Sequence, residues 1–133
     1  MPGPHELRLV ATREQVRSVI AQYLQRRRPL LLSFVQQLRT LRATLEASET
    51  FQTHAFIRSS ILFVYSAETN HTQLRMIDLP KTSPVGTGDD GRPLRIDHRL
   101  PWVEDNHEDG YLTGLDNMID IFEELLAAES PAL

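Results

Sequence analysis

The stretch Ile61-Leu62-Phe63-Val64-Tyr65 is the longest uninterrupted apolar run in the chain and decides its fold class. Five consecutive apolar residues, rich in β-branched and aromatic side chains, are too few for an independent helix and are typical of a buried strand. Residues 73–78 alternate between polar and apolar side chains after a polar connection at 66–72. We therefore predict an antiparallel hairpin of strands 61–65 and 73–78.

Helix-period patterns lie on both sides of this hairpin. Thr12-Arg13-Glu14-Gln15 has the form of a capping box, and the apolar residues after it predict a helix over about 13–28. Pro29 suits the first turn of a second helix over about 30–47. A third apolar stripe predicts a helix over 111–128 that ends before Pro131. Helices packed on an antiparallel hairpin place the chain in the α+β class.

Residues 79–110 contain four prolines and four glycines, which predicts a long loop, mostly irregular over 82–107. Within it, residues 86–91 satisfy a three-glycine dinucleotide-binding pattern. No helix follows, and two aspartates would repel a phosphate, so a flexible turn is the better interpretation. We expect a single domain over 12–130 after a disordered segment at 1–11.

Charge is distributed unevenly along the chain, whose net charge is −4. Residues 1–50 hold eight arginines and four glutamates, whereas residues 101–133 hold nine acidic residues and no basic one. Nucleic-acid binding needs a broadly basic face, so this pattern argues against it. The basic cluster Arg26-Arg27-Arg28 is interpreted as a helix-end feature, with a phosphate or partner site as the alternative.

Cysteine does not occur in the sequence, which excludes disulfides, cysteine–zinc sites and thiol catalysis. No apolar run approaches the roughly 20 residues that a membrane-spanning helix requires. The start of the sequence lacks the apolar region of a signal peptide. We therefore expect no membrane span and a location in the cytoplasm, the nucleus or both.

The end of the predicted hairpin carries the candidate chemistry. Asp78 follows the second strand and Lys81 comes three residues later, so a carboxylate and an ammonium are predicted just past a buried strand end. Carboxylate oxygen suits Mg²⁺, and a cation neutralises phosphate, as nucleotide chemistry requires. Ser59 and Ser60, at the start of the first strand, would add hydroxyls on the same side of the sheet. The alternative is an ordinary strand end and turn.

A calcium-loop pattern at 105–116 is incomplete. His107 replaces an oxygen ligand, and Asp116 is shorter than the usual glutamate. The simpler interpretation is that Glu108 and Asp109 favour the positive end of the last helix. The five histidines show no metal-ligand spacing, so we expect no zinc site.

Four motifs in a fixed order carry a family resemblance: Ser59-Ser60-Ile61-Leu62-Phe63-Val64-Tyr65, Met76-Ile77-Asp78, Asp97-His98-Arg99-Leu100-Pro101-Trp102, and residues 106–119. Together they resemble the inositol polyphosphate kinase family, and within it the inositol-1,4,5-trisphosphate 3-kinase branch. The resemblance implies a kinase-like two-lobed fold, of which this chain is part of the C-terminal lobe. It also implies an inositol polyphosphate and ATP as substrates, with Mg²⁺.

The same resemblance assigns site residues. It implies that Asp78 binds the metal, that Ser60 lies beside the same metal, and that Lys81 contacts nucleotide phosphate. Near these residues the sequence departs from the family, because Pro80 stands where the family has glycine and Arg58 where it has another glycine. Proline fixes φ and removes a donor, which predicts a changed backbone at the metal site.

A larger departure concerns the catalytic elements. The family's Pro-x-x-x-Asp-x-Lys-x-Gly element and its ATP-lobe lysine do not occur in these 133 residues. We expect a fragment of an inositol phosphate kinase that is inactive in isolation, with any calmodulin contact outside this segment. The alternative is a catalytically inactive remnant that acts as a protein-interaction module.

Overall fold

The computed structural model describes residues 12–57, 59–101, 103, 104, 106 and 108–129. Its helices are α1 (Arg13–Tyr23), α2 (Arg28–Glu46), α3 (Glu49–Thr53) and α4 (Tyr111–Ala128). Its strands are β1 (His54–Phe56), β2 (Ser60–Tyr65), β3 (Thr72–Ile77) and β4 (Thr82–Pro84). The α+β class is confirmed, while the segment predicted as disordered at 1–11 lies outside the described residues.

The start of α1 and the whole of α4 agree with the sequence prediction. Thr12 Oγ1 accepts the Gln15 N–H at 3.1 Å and Gln15 Oε1 accepts the Thr12 N–H at 2.9 Å, so the capping box is present. The apolar stripe of α4 is buried, and the helix spans the predicted residues. Among the described helices, none is both long and apolar enough to cross a membrane.

The prediction that α1 continues to residue 28 is wrong. Gln25 and Arg26 both have a φ of +54°, in the left-handed region. The Arg26 N–H bonds the Ala21 carbonyl at 3.0 Å, and the Gln25 N–H bonds the Gln22 carbonyl at 3.1 Å. This is a Schellman motif, which ends α1 early and turns the chain into α2. Pro29 lies in the first turn of α2, as predicted.

An aromatic cluster joins the helices to the hairpin. The ring centroid of Phe34 in α2 lies 5.2 Å from that of Phe63 in β2 and 6.2 Å from that of Phe122 in α4. Phe63 also stacks on Phe122 at 5.5 Å. Phe34 and Phe122 are fully buried. The hairpin, α2 and α4 therefore share one core.

Arginines of α1 and α2 form ion pairs with acidic side chains of α4, which brings the basic and acidic parts of the sequence together. These pairs are Arg13–Glu124 at 2.7 Å, Arg39–Glu123 at 2.5 Å and Arg42–Asp116 at 3.0 Å. In the basic cluster, Arg26 pairs with Glu129, and Arg28 donates to the Leu126 carbonyl in the last turn of α4. Arg26 and Arg28 are thus helix-end residues that contact the end of α4 rather than their own helix, while Arg27 donates to Ala67 and Asn70 in the connection between β2 and β3.

The hairpin of β2 and β3 is antiparallel, as predicted, with Ser60 opposite Ile77. Its inner face packs against the core. On its outer face Leu62 and Val64 are 45% and 46% exposed. The strand predicted as buried is therefore partly buried on its inner face and exposed on its outer face.

A second antiparallel pair, β1 with β4, was not predicted. Ala55 lies opposite Ser83, and Phe56 lies opposite Thr82. The rest of the described part of the 79–110 loop is mostly irregular, as predicted. The glycine-rich stretch forms a turn, in which the Gly88 N–H bonds the Arg92 carbonyl at 2.8 Å, and no helix.

Candidate metal and phosphate site

The candidate site lies where one long antiparallel ladder is interrupted. β1 leads into β2, and β3 leads into β4, so the pair of Phe56 with Thr82 and the pair of Ser60 with Ile77 belong to the same two chain segments. Three residues separate Phe56 from Ser60 along the chain, whereas four separate Ile77 from Thr82, so one segment carries an extra residue. An extra residue of this kind bends the strand and redirects side chains, as in a β-bulge.

Asp78 is the first residue of the interruption. Its φ is +60°, in the left-handed region that aspartate tolerates better than most residues. Asp78 directly follows the strand end, as predicted, and its side chain is exposed. It has no hydrogen bond or ion pair with any described residue, so its carboxylate is available to a ligand.

The turn after Asp78 accommodates the proline that departs from the family. The Thr82 N–H bonds the Leu79 carbonyl at 3.0 Å, which closes a four-residue turn. Pro80 occupies the second position, where the fixed φ of proline is favourable. The left-handed residue is Asp78 instead, so Pro80 does not prevent this conformation. Arg58, the other departure, lies outside the described residues.

Ser60 and Lys81 lie close in the fold to Asp78. Ser60 is on the exposed outer face of β2, paired with the residue that precedes Asp78. Lys81 is exposed at the third position of the turn, without an ion pair to a described residue. The structure therefore brings the three predicted residues to one end of the hairpin, and no described contact between Asp78 and Lys81 occupies either charge.

Two further hydroxyls flank the interruption. The Ser59 Oγ and the Thr82 Oγ1 are buried and have no hydrogen-bond partner among the described residues. Carboxylate and hydroxyl oxygens are hard donors, which Mg²⁺ prefers. This end of the hairpin supplies one carboxylate, and nowhere among the described residues do three or more histidine, cysteine, aspartate or glutamate side chains form a group that could hold a metal. The residues at this end of the hairpin fit Mg²⁺ that shares its coordination with phosphate and water.

A groove of about 410 Å³ between α2 and β3 does not fit a phosphate ligand. It is lined by uncharged side chains: Ser33, Gln36, Gln37, Thr40, Leu41, Thr44, Leu74 and Met76. Without a cation, such a groove offers nothing to neutralise phosphate charge.

Sequence reasoning missed a buried polar cluster close to the interruption. We call His98, Glu108 and Asp109 the clasp; His98 is 1% exposed and Glu108 is 6% exposed. The His98 Nδ1 lies 2.7 Å from the Asp109 Oδ1, and the Glu108 carboxylate accepts the His98 N–H at 2.7 Å. The Asp109 carboxylate thus contacts a histidine and two backbone N–H groups, while Asp105 and His107 of the calcium pattern lie outside the described residues.

Burial and hydrogen bonding shift the pKa values of Asp109, which belongs to the clasp, and of the nearby Tyr111. Burial alone would raise the pKa of Asp109, but hydrogen bonds from His98 and from the N–H groups of Phe56 and Tyr111 outweigh it, and the pKa is lowered. Burial, and then the charge of Asp109, raise the pKa of Tyr111 to about 12. The only sequence signal for these contacts was that His98 and Asp109 belong to ordered motifs.

Comparison with known proteins places the chain in a family. The family model described as inositol polyphosphate kinase matches residues 5–123. The chain belongs to this inositol polyphosphate kinase family. Its curated relatives include human inositol-trisphosphate 3-kinase A, which is 41% identical over 120 residues, covering 90% of this chain and 25% of the relative.

Two other relatives in the family give similar values. Mouse inositol-trisphosphate 3-kinase C is 42% identical over 112 residues, which cover 84% of this chain and 16% of the relative. The Caenorhabditis elegans inositol-trisphosphate 3-kinase homolog is 40% identical over 91 residues, which cover 68% of this chain and 17% of the relative. The chain thus spans a quarter or less of the length of these relatives.

Proposed function

We propose that this chain forms the metal- and phosphate-binding part of an ATP-dependent inositol phosphate kinase of the inositol-trisphosphate 3-kinase type. The observation that carries the proposal is the unpaired Asp78 beside Ser60 and Lys81 at the ladder interruption, in a chain 41% identical to such a kinase. In the complete enzyme, an inositol hydroxyl attacks the γ-phosphorus of ATP and the bond to the β-phosphate oxygen breaks. We place this protein in the cytoplasm, the nucleus or both.

Each site residue has a proposed role in this reaction. Asp78 and Ser60 would hold Mg²⁺, which neutralises phosphate charge that develops during transfer. Lys81 would bind phosphate oxygen through its ammonium, as a mobile point charge at the tip of the turn. The groups that bind the inositol phosphate and activate its hydroxyl are expected outside these 133 residues. Positioning and charge neutralisation are then the contribution of this segment.

The outer face of the hairpin supports a nucleotide at this position. Leu62 and Val64 form a half-exposed apolar surface that leads along β2 to Ser60. A flat apolar surface suits the face of a nucleobase, while the charged end of the hairpin suits its phosphates. A nucleotide lying along β2 would contact both.

Substitution of Asp78 tests the proposal in the longest protein that contains this segment. Asp78→Asn should lower the phosphoryl-transfer rate at least about a hundredfold, because a charged Mg²⁺ ligand becomes a weak neutral one. Stability should not change, since Asp78 is exposed and unpaired. Asp89→Asn, in the glycine-rich turn, is the matched control and should leave the rate unchanged. Near-normal activity of the Asp78→Asn protein would refute the metal assignment.

The second candidate function is a catalytically inactive protein-interaction module. The observation that favours it is the set of exposed apolar side chains around the same hairpin end: Ile57, Leu62, Val64 and Leu79. Such a surface also suits a protein partner. The two functions differ in their response to ligand. Titration with ATP and Mn²⁺, followed by NMR, should perturb the Ser60 and Asp78 amides for the kinase segment and leave them unchanged for the module.

A further inference from the structure

His98 and Asp109 are eleven residues apart in the loop over 79–110, and their side chains are in contact. The Asp109 carboxylate accepts hydrogen bonds from His98 Nδ1, from the Phe56 N–H at 2.8 Å and from the Tyr111 N–H at 2.9 Å. The other ring nitrogen of His98, Nε2, lies 2.6 Å from the Phe51 carbonyl oxygen. One carboxylate therefore connects the loop, β1 and the start of α4.

Both ring nitrogens of His98 have hydrogen-bond partners. The Phe51 carbonyl can only accept, so His98 Nε2 donates to it. His98 Nδ1 lies 2.7 Å from the Asp109 Oδ1, and the same carboxylate accepts two backbone N–H groups. The His98 ring is 1% exposed, and its centroid lies 3.7 Å from that of the stacked Phe51 ring. A buried polar network in which these groups are all bonded holds its geometry rigidly.

The hydrogen bond from the Phe56 N–H to Asp109 links the clasp to the candidate site. Phe56 is the last residue of β1, and Thr82, opposite it, closes the turn that presents Lys81. On its other side, Phe56 precedes residues 57–59, which lead to Ser60. One segment of the interruption therefore begins at the residue that Asp109 holds, and the other ends at Thr82, the residue paired with it.

We propose that Asp109, with His98 as its hydrogen-bond partner, is a positioning residue for the candidate site: it holds β1 and β4 in register so that Ser60, Asp78 and Lys81 converge. The inference rests on the proposed function for the identity of that site. Partners of metal ligands that fix their orientation commonly change metal affinity by tenfold or more when lost. Asp109 would act on the proposed metal ligands indirectly, through its hydrogen bond to the backbone of Phe56 in β1.

The experiment uses Mn²⁺ as a paramagnetic probe on the 15N-labelled 133-residue chain. In the wild type, Mn²⁺ should broaden the amide signals of Ser60 and residues 78–82. In Asp109→Asn, which puts an amide donor among three donors, the same broadening should need about tenfold more Mn²⁺. Glu124→Gln is the matched control, because it removes a carboxylate charge of α4 whose partners are Arg13 and Arg17 and not the clasp. It should leave the titration unchanged.

A second measurement separates positioning from general stability. Amide hydrogen exchange at Phe56 and Thr82 should accelerate about tenfold or more in Asp109→Asn, while exchange in the middle of α2 stays slow. If Asp109→Asn does not fold, His98→Gln, which keeps one side-chain donor, should give an intermediate shift in both measurements.

The outcomes distinguish the two proposals. If the wild type shows no Mn²⁺ broadening at Ser60 and residues 78–82, the metal site of the proposed function is refuted, and exchange at Thr82 alone decides the positioning role. If a folded Asp109→Asn or His98→Gln chain matches the wild type in both Mn²⁺ titration and Thr82 exchange, the positioning role is overturned. Equal acceleration of exchange throughout α2 would also overturn it, because Asp109 would then be a general structural residue.

Discussion

Two regions of this molecule are held together by different interactions. The helical layer, α1, α2 and α4, has an apolar core with ion pairs only at its surface, such as Arg13–Glu124. The strand-and-loop region, α3, β1, β4 and residues 85–110, is anchored by the buried clasp. The first region depends on apolar area, which any pH leaves intact, and the second depends in part on the buried carboxylate of Asp109, whose pKa is lowered. The candidate site lies between them, at the end of the hairpin.

The largest expected effect is in the helical layer. Phe34→Ala removes a fully buried ring that contacts Phe63 and Phe122, so it should lower the free energy of unfolding by about 3–5 kcal/mol. Urea unfolding followed by circular dichroism measures the change. The control is Leu62→Ala on the open outer face of β2, which is 45% exposed and should cost far less. Equal losses in the two variants would show that the hairpin is buried on both faces.

The difference between the helical layer and the strand-and-loop region also explains which parts of the fold could be predicted from the sequence. α4 was predicted with its observed bounds because its apolar residues recur with helical period and no other interaction competes. The end of α1 was missed because Gln25 and Arg26 adopt left-handed backbone without a glycine to signal it. β1 and β4 are three residues each and pair across 28 positions, Ala55 with Ser83, so neither has a readable period.

The candidate site could be predicted only in part, because some of its geometry depends on contacts between residues that are far apart in the chain. Asp78 and Lys81 were recognised by residue type and spacing, and Ser60 by its place at the start of a strand. The left-handed backbone of Asp78 depends on a mismatch in strand register, which local sequence does not encode. Asp109 was identified only as a charge near a helix start, because its partner His98 is brought to it by tertiary folding.

An intermediate effect is expected in acid. The pKa of Asp109 is lowered below its ordinary value of 3.8 in the folded chain, so folding favours its ionised form. The corresponding stability is present above pH 3.8 and is lost as the pH falls through the lowered pKa. Urea unfolding in 1 M salt between pH 5 and pH 2 measures this loss, since salt screens the exposed pairs of the helical layer but not a buried one.

The matched variant for the acid prediction is Asp109→Asn, which cannot ionise at this position. Its free energy of unfolding should fall less steeply between pH 5 and pH 2 than that of the wild type. Parallel curves for the two proteins would show that the clasp does not contribute to acid sensitivity, and the distinction between the two regions would then be wrong.

The smallest expected effect is at Tyr111, where the two regions meet. Its buried Oη has no hydrogen-bond partner among the described residues, so Tyr111→Phe should change the free energy of unfolding at pH 7 by no more than about 1 kcal/mol, toward greater stability. The matched control is Tyr65→Phe in the hairpin, which loses the bond from the Tyr65 hydroxyl to the Tyr23 carbonyl and should be destabilised.

Tyr111 should also affect the stability of the protein in alkali, because its pKa is about 12 in the fold against 10.0 ordinarily. Between these values the unfolded tyrosine releases its proton and the folded one does not, so wild-type stability falls as the pH rises. The Tyr111→Phe chain should lose less stability than the wild type from pH 10 to pH 11, and an equal loss would place the alkaline sensitivity at another group.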